Sequence, residues 1–513
     1  MEYPQAPRRK IATLVATAVL IVSACSGSTP TAAPSASAAA ATPTAAPSVA
    51  SAAPAVTPSP TPLVTAAPVD TDVPGPNGGV VVRWFVGLGA GGQPQQIAAQ
   101  TKFVADYNNS QKDVYISLEM YDNKVAANIL KTQVAAGNAP DIIGPVGVEG
   151  LNLFIDQLAD LQPLIDSTGY DMSKYPEAMR NFFKIGKGGT TIGVPFGTYP
   201  SFLWYNKKLF DEANLPYPPT KVGDTYQGKP WDMAAVRDLG MKLTVDKNGN
   251  DATSASFDPT NIVQWGFDSQ WADNGPTAET ALFGAGSFLA SDGKTAQIPD
   301  AMRTGIHWFN DGVWKDHFIP NQNQINSDLL AKGNEFQSGN LAMTEIHTWY
   351  SCCVNPAAPA KPIVGDSFGW AVAPAYNGTV TAKLHADTFS MLKTTKHPDQ
   401  AFKALAALAS SGELATIYGA LPADPKAQQP FMDAINKQYP TAKLDWTVPT
   451  QMLAHPDIPN HQAWVPDYAK SKAAWQAFGV GYRTNQSADI DKDLDTLKTT
   501  LQGIFDAAPD KNP

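Results

Sequence analysis

Between residues 80 and 143, short β-branched or aromatic runs alternate with helix-patterned stretches, and this alternation restricts the fold more than any other feature of the chain. Val80-Val81-Val82-Arg83-Trp84-Phe85-Val86 ends in glycines and reads as a buried strand. The pattern then predicts a helix over 94–107 and a strand over 114–119. A helix through Ile129, Leu130 and Val134 stops at Gly137-Asn138, and a strand follows at Asp141-Ile142-Ile143. Strands joined through helices imply a parallel-rich sheet covered on both faces, so the class is α/β. Later, 398–409 reads as a helix with Phe402, Leu405 and Leu408 on one side, and Ser410 with Glu413 has capping-box spacing for the next. The last helix carries Ile490, Leu494, Leu497, Leu501 and Ile504 on one face, with Asp489 and Asp491 at its positive start.

Composition narrows the class of molecule. A chain of 513 residues that is 43% apolar can bury a large core, and at about 100–200 residues per domain it should hold two or three domains. Its net charge is −10 and no basic run could neutralise a row of phosphates, so nucleic acid is excluded as a partner. The three cysteines, Cys25 and the adjacent Cys352 and Cys353, are too few for a disulfide scaffold and fit no zinc spacing. The chain starts with Arg8, Arg9 and Lys10 before an apolar stretch over 11–22. That stretch is shorter than the roughly 18 residues a membrane span needs and reads as an export signal. From 26 to 77 the chain is nearly all Ala, Pro, Ser and Thr and is expected to be a disordered tether. Such a tether reaches about 40 Å on average, or about 150 Å in polyproline geometry.

Val22-Ser23-Ala24-Cys25 resembles a bacterial lipobox, which implies that Cys25 is lipidated and anchors the chain to the outer face of the cytoplasmic membrane. Several further segments, in consistent order, resemble the large extracellular solute-binding proteins of sugar ABC importers, the family of maltose-binding proteins. They are Ala136-Gly137-Asn138-Ala139-Pro140-Asp141-Ile142-Ile143, Gly193-Val194-Pro195-Phe196 followed by Leu203-Trp204-Tyr205-Asn206, and Gln264-Trp265-Gly266-Phe267. Phe336-Gln337-Ser338-Gly339-Asn340-Leu341-Ala342-Met343, with Trp349 beyond it, and Phe368-Gly369-Trp370-Ala371-Val372-Ala373-Pro374 complete the set. The resemblance implies a type II two-lobe periplasmic-binding-protein fold with crossing hinge strands. The expected lobes are 78–196 plus 374–412 and 197–373 plus 413–508. It also implies a carbohydrate ligand, ABC permease subunits as partners, a monomer, and no catalysis, cofactor or metal.

Sugars present hydroxyls that need directional partners and C–H faces that suit aromatic rings. Carried over from the matching motifs, the implied ligand contacts are Trp349, Tyr199, Trp271, Gln270, Glu149, Trp475 and Asp387. For the aromatics the competing expectation is a packed core ring, and for Glu149, Gln270 and Asp387 a solvated loop. Cys352 and Cys353 could close a vicinal disulfide in an exported protein.

Gly87-Leu88-Gly89-Ala90-Gly91-Gly92 fits a dinucleotide-binding pattern, with Glu119 as its acid, but the acid is too distant and an exported chain meets no nicotinamide pool. The glycines are expected instead to let backbone border the cleft. Gly186-Lys187-Gly188-Gly189-Thr190-Thr191 is not a P-loop, because no hydroxyl residue directly follows the lysine. Asp246-Lys247-Asn248-Gly249-Asn250-Asp251 lacks the distal glutamate of a calcium loop and reads as an Asn-Gly turn. The rival readings are a secreted glycoside hydrolase or lyase, and a solute-binding protein feeding a sensor kinase.

Overall fold

The computed structural model describes residues 64–65, 73–185, 189–271, 279–356, 360–457 and 464–508. The export segment, Cys25, nearly all of the tether and Gly186-Lys187-Gly188 lie outside the described residues. The alternation in the sequence becomes Val80–Val86 (β2), Pro94–Ser110 (α1), Val114–Met120 (β3), Asn123–Ala135 (α2) and Ile142–Val146 (β4), with Val64–Thr65 (β1) before them. β2 runs parallel to both β3 and β4, and these three strands are buried along almost their whole length. Continuous burial follows from helices on both faces. α1 opens on Pro94, whose missing N–H is no loss in a first turn. α2 ends before Gly137, which supplies φ +69°. Described structure reaches into the stretch expected as tether: Val64 registers with Met120, and the Asn77 amide donates to Asn108 O and Val114 O at 2.9 Å.

Val194–Asn206 (β5) spans thirteen buried residues. After it come Met233–Leu243 (α4), Val245–Asp246 (β6), Ile262–Ser269 (β7), Asp300–Trp314 (α5), Leu341–His347 (β8), Phe368–Ala371 (β9) and Leu384–Met391 (β10). Between β4 and β5 lies Val148–Phe154 (α3). The sheet runs β1-β3-β2-β4-β10-β5-β8-β7-β6, with β9 also on β5. β5 is the shared strand: residues 194–200 pair with β10, while 201–206 pair with β8 and β9. The chain returns to the first half of β5 at β10, whereas β9 pairs only with the second half.

Among the helices of the C-terminal part are Pro398–Ala409 (α6), Gly412–Tyr418 (α7), Tyr468–Thr484 (α8) and Ile490–Ala507 (α9). The cap of α7 is Ser411, which accepts from Leu414 N at 3.1 Å, one residue later than expected. Ser410 is engaged elsewhere, within 3.2 Å of both Tyr170 Oη and Lys174 Nζ. The junction anticipated at 412/413 falls at the start of α7, which packs on α1. α9 buries Ile490, Leu494, Leu497, Leu501 and Phe505; a four-residue step from Leu501 selects Phe505 over Ile504. Behind β5, Trp204 stacks on Phe202 and Phe368 and meets Trp370 edge-on at 5.2 Å. Each such ring contributes about 1.5–3 kcal/mol by burial, which makes this half of β5 a stiff support.

Candidate ligand-binding site

Strand alternation builds the floor of the site. Side chains two apart on a strand share a face, so Lys383, His385 and Asp387, along β10 and the residue before it, all border one cavity of about 720 Å³. Across the sheet, Tyr199 of β5 registers with His385, and His347 of β8 registers with Ser201. Gly89 to Gly91, after β2, and Gly147 to Gly150, after β4, form one wall. Trp271, just beyond β7, and Trp349, just beyond β8, form another. These residues follow the carboxyl ends of strands, where open α/β sheets leave their crevice. Lys472 and Gln476 of α8 close the rim.

Trp349 is the central aromatic. It sits in the short turn Thr348–Cys352, half-buried, with its ring stacked on His347 at 3.9 Å between centroids. Tyr199 lies 5.4 Å away and His385 5.2 Å away. Gly419, φ +62°, ends α7 directly beneath this turn; a Cβ there would come within 2.8 Å of Trp349 Cα, so only glycine lets the two segments meet. Cys352 and Cys353 are joined as a vicinal disulfide, with Cys352 at the cavity and Cys353 fully buried.

Burial governs three of the ionisable groups here, Asp387, Tyr199 and His347. The Tyr199 hydroxyl donates to Asp387 Oδ2 at 3.2 Å. Burial pushes the Asp387 carboxyl up to about 7, with the Tyr199 hydrogen bond opposing the shift. Burial, with Asp387 beside it, pushes the Tyr199 phenol well above its ordinary value. Burial, then His385 and Lys383, hold the His347 imidazole well below its ordinary range, and its Nε2 has no hydrogen-bond partner among the described residues. Glu149, at the start of α3, pairs with Lys472 across the rim.

Five of the seven residues expected from sequence thus line the cavity: Trp349, Tyr199, Trp271, Glu149 and Asp387. Trp271 adopts φ +54° and is pinned by Nε1 donating to Gly333 O at 2.7 Å. Two residues are corrections. Gln270 is 2% exposed and turned inward, donating to Asn334 Oδ1 at 3.1 Å and accepting from Phe336 N at 2.7 Å. Trp475 is fully buried, stacked on Phe288 at 5.5 Å. The inward stripe of α8 is Tyr468, Ser471, Trp475, Gly479 and Tyr482, which leaves Lys472 and Gln476 toward the cavity instead. That stripe was readable in the sequence.

Glu119, the acid of the dinucleotide-like pattern, is occupied by Arg83 and by Gln133 Nε2 at 2.9 Å, while Gly89 and Gly91 border the cavity. Asp246 organises a turn. Burial works against it, but hydrogen bonds from Asn250, Asp258 and Asn248 hold its carboxyl down at about 2. Among the described residues no cluster could hold a metal ion, and no helix is long and apolar enough to cross a membrane.

Solved structures share this architecture. An ABC substrate-binding protein from Listeria monocytogenes, solved with cycloalternan, superposes with a TM-score of 0.62 at 17% identity, covering 82% of this chain and 97% of that one. The maltose/maltodextrin-binding domain MalE from Bdellovibrio bacteriovorus, bound to maltotriose, gives 0.60 at 16%, covering 83% and 99%. UgpB from Mycobacterium tuberculosis, in complex with glycerophosphocholine, gives 0.61 at 15%, covering 83% and 98%. The fold is therefore the mixed α/β, two-lobe type II binding-protein fold. A comparison with curated proteins finds no match. The sequence profile described as "bacterial extracellular solute-binding protein" matches residues 91–415, well over half the chain, and with the strand-end cavity just described it places this protein in that family.

Proposed function

We propose that the chain captures a carbohydrate in the cavity around Trp349 and delivers it to the permease subunits of an ABC importer, leaving the bonds of the solute intact. The carrying observation is the Trp349 ring, stacked on His347 and flanked by Tyr199 with its bound Asp387. A flat aromatic face beside paired polar groups suits the C–H faces and hydroxyls of a sugar ring. The cycloalternan and maltotriose of two similar structures support the same class of solute. In this reading the lobes pivot about β5 and β10, and ligand contacts from both sides favour the closed form by differential affinity. Cys25 carries a lipid that holds a monomer at the outer face of the membrane, and the Ala/Pro/Ser/Thr stretch gives it reach.

Thermal unfolding of the purified protein against an oligosaccharide panel tests the proposal. Stabilisation by one saccharide, recovered uncut after long incubation, is the expected outcome. Cleavage products would instead establish an enzyme. For the anchor, Cys25→Ser should release the protein into the medium.

A further inference from the structure

Lys383 stands out on the cavity floor. Its side chain is 1% exposed, it borders the cavity, and its ammonium makes no hydrogen bond or ion pair among the described residues. The backbone explains how it is held there: Lys383 N donates to Ser201 Oγ at 2.9 Å, and Lys383 O accepts from Ser201 N at 2.8 Å, fixing the side chain at the crossing of β5 and β10. A buried ammonium without a direct ion pair is expensive, and a neutral hydroxyl recovers only part of the lost hydration.

None of the neighbouring acids pairs with it directly. Glu345 accepts from Ser269 Oγ at 2.6 Å through Oε2 and feels the Lys383 charge without a hydrogen bond to it; Asp387 accepts from Tyr199, Asp457 from Leu384 N at 2.8 Å, and Glu149 pairs with Lys472. Burial pushes the carboxyls of Glu345 and Asp387 upward, so they offset the ammonium less than ordinary carboxylates would. The adjacent His347 ring is held neutral. A second lysine, the exposed Lys124, borders the same cavity.

We propose that Lys383 selects for an acidic group on the solute, so that the ligand is a saccharide carrying a carboxylate or a phosphate whose ring covers Trp349. This rests on the solute-binding reading above and adds the charge of the solute to it.

Calorimetric titration with matched probes tests it: galacturonate oligomers against galactose oligomers, and glucose 1-phosphate against glucose. The acidic member of one pair should bind at least tenfold tighter than its neutral partner, and which pair responds distinguishes carboxylate from phosphate. Lys383→Met should lose about thirtyfold or more in affinity for that member, and Lys383→Arg, which keeps the charge, should retain most of it. Lys383→Gln replaces the methionine variant if that one fails to fold. Millimolar inorganic phosphate should raise the unfolding temperature of the wild type more than that of Lys383→Met. Equal or tighter binding of the neutral members overturns the inference while leaving solute binding intact. Silence of every acidic probe, phosphate included, also overturns it, and the neutral arms of the same run then show whether the solute-binding reading survives.

Discussion

Two buried polar clusters, one behind β7 and one along β10, obey opposite rules. At the C-terminal end of α8, Arg483 is 2% exposed and ion-paired on two sides: its Nη2 lies 2.8 Å from Asp268 Oδ1 and its Nε 2.8 Å from Glu279 Oε1. The Tyr482 hydroxyl also donates to Glu279, and the guanidinium rests over the Phe309 ring at 5.7 Å. Asp268 and Glu279 both meet the one guanidinium, and none of these side chains borders the cavity. Along β10 the groups are as well buried but incompletely matched: Lys383 makes no direct ion pair among the described residues, with Glu345 only an electrostatic neighbour, and His347 Nε2 has no hydrogen-bond partner among them. Buried polar groups are normally satisfied. A sealed, ion-paired cluster holds the fold together; one that faces a cavity with a cation lacking a direct ion pair is placed to meet a group from outside.

The largest effect should come from breaking the sealed cluster. Arg483→Met leaves Asp268 and Glu279 buried without a cation and should cost about 3–5 kcal/mol of stability in urea unfolding, with ligand affinity of the folded fraction unchanged. Next, the two tryptophans assigned to the ligand from sequence should separate. Trp475→Ala empties a core site and should cost about 3–5 kcal/mol while sparing affinity. Trp349→Ala should do the reverse, losing at least about tenfold in affinity with much smaller destabilisation.

A pH titration sharpens the contrast further. The folded-state pKa of Asp387, about 7, exceeds the value of about 4 for an unfolded aspartate, so the folded protein binds that proton more tightly. Its contribution to stability is full below about pH 4 and is lost as pH rises toward about 7. Comparing urea midpoints across that window, Asp387→Asn should flatten the decline; an unaltered slope would contradict the assignment. The smallest effect belongs to the rim, where Glu149→Gln breaks a half-exposed ion pair with Lys472 and should change stability by less than about 1 kcal/mol.

Local pattern carried the fold a long way, because period and turn chemistry act over a few residues. β2, α1, β3, α2, β4 and α6 lie where periodicity, Gly137 and Pro398 put them. The site was only partly legible. Trp349 and Trp475 are the same residue type, and what separates them is position: one follows a strand end, the other sits on the inward stripe of α8, which helical period alone marks. Lys383 and His385 went unremarked because their alternation with Asp387 gains meaning only once β10 lies beside β5. The pairing of β10 with one half of β5 and of β9 with the other is likewise a matter of distant segments, which no local pattern records.

Calorimetric titration of the wild type and Trp349→Ala with the most stabilising saccharide, followed by analysis of the recovered ligand, bears most directly on all of this. One uncut saccharide per wild-type chain, with binding weakened at least about tenfold in Trp349→Ala, is the expected result. Undiminished binding by Trp349→Ala, or a saccharide recovered in fragments, would contradict it.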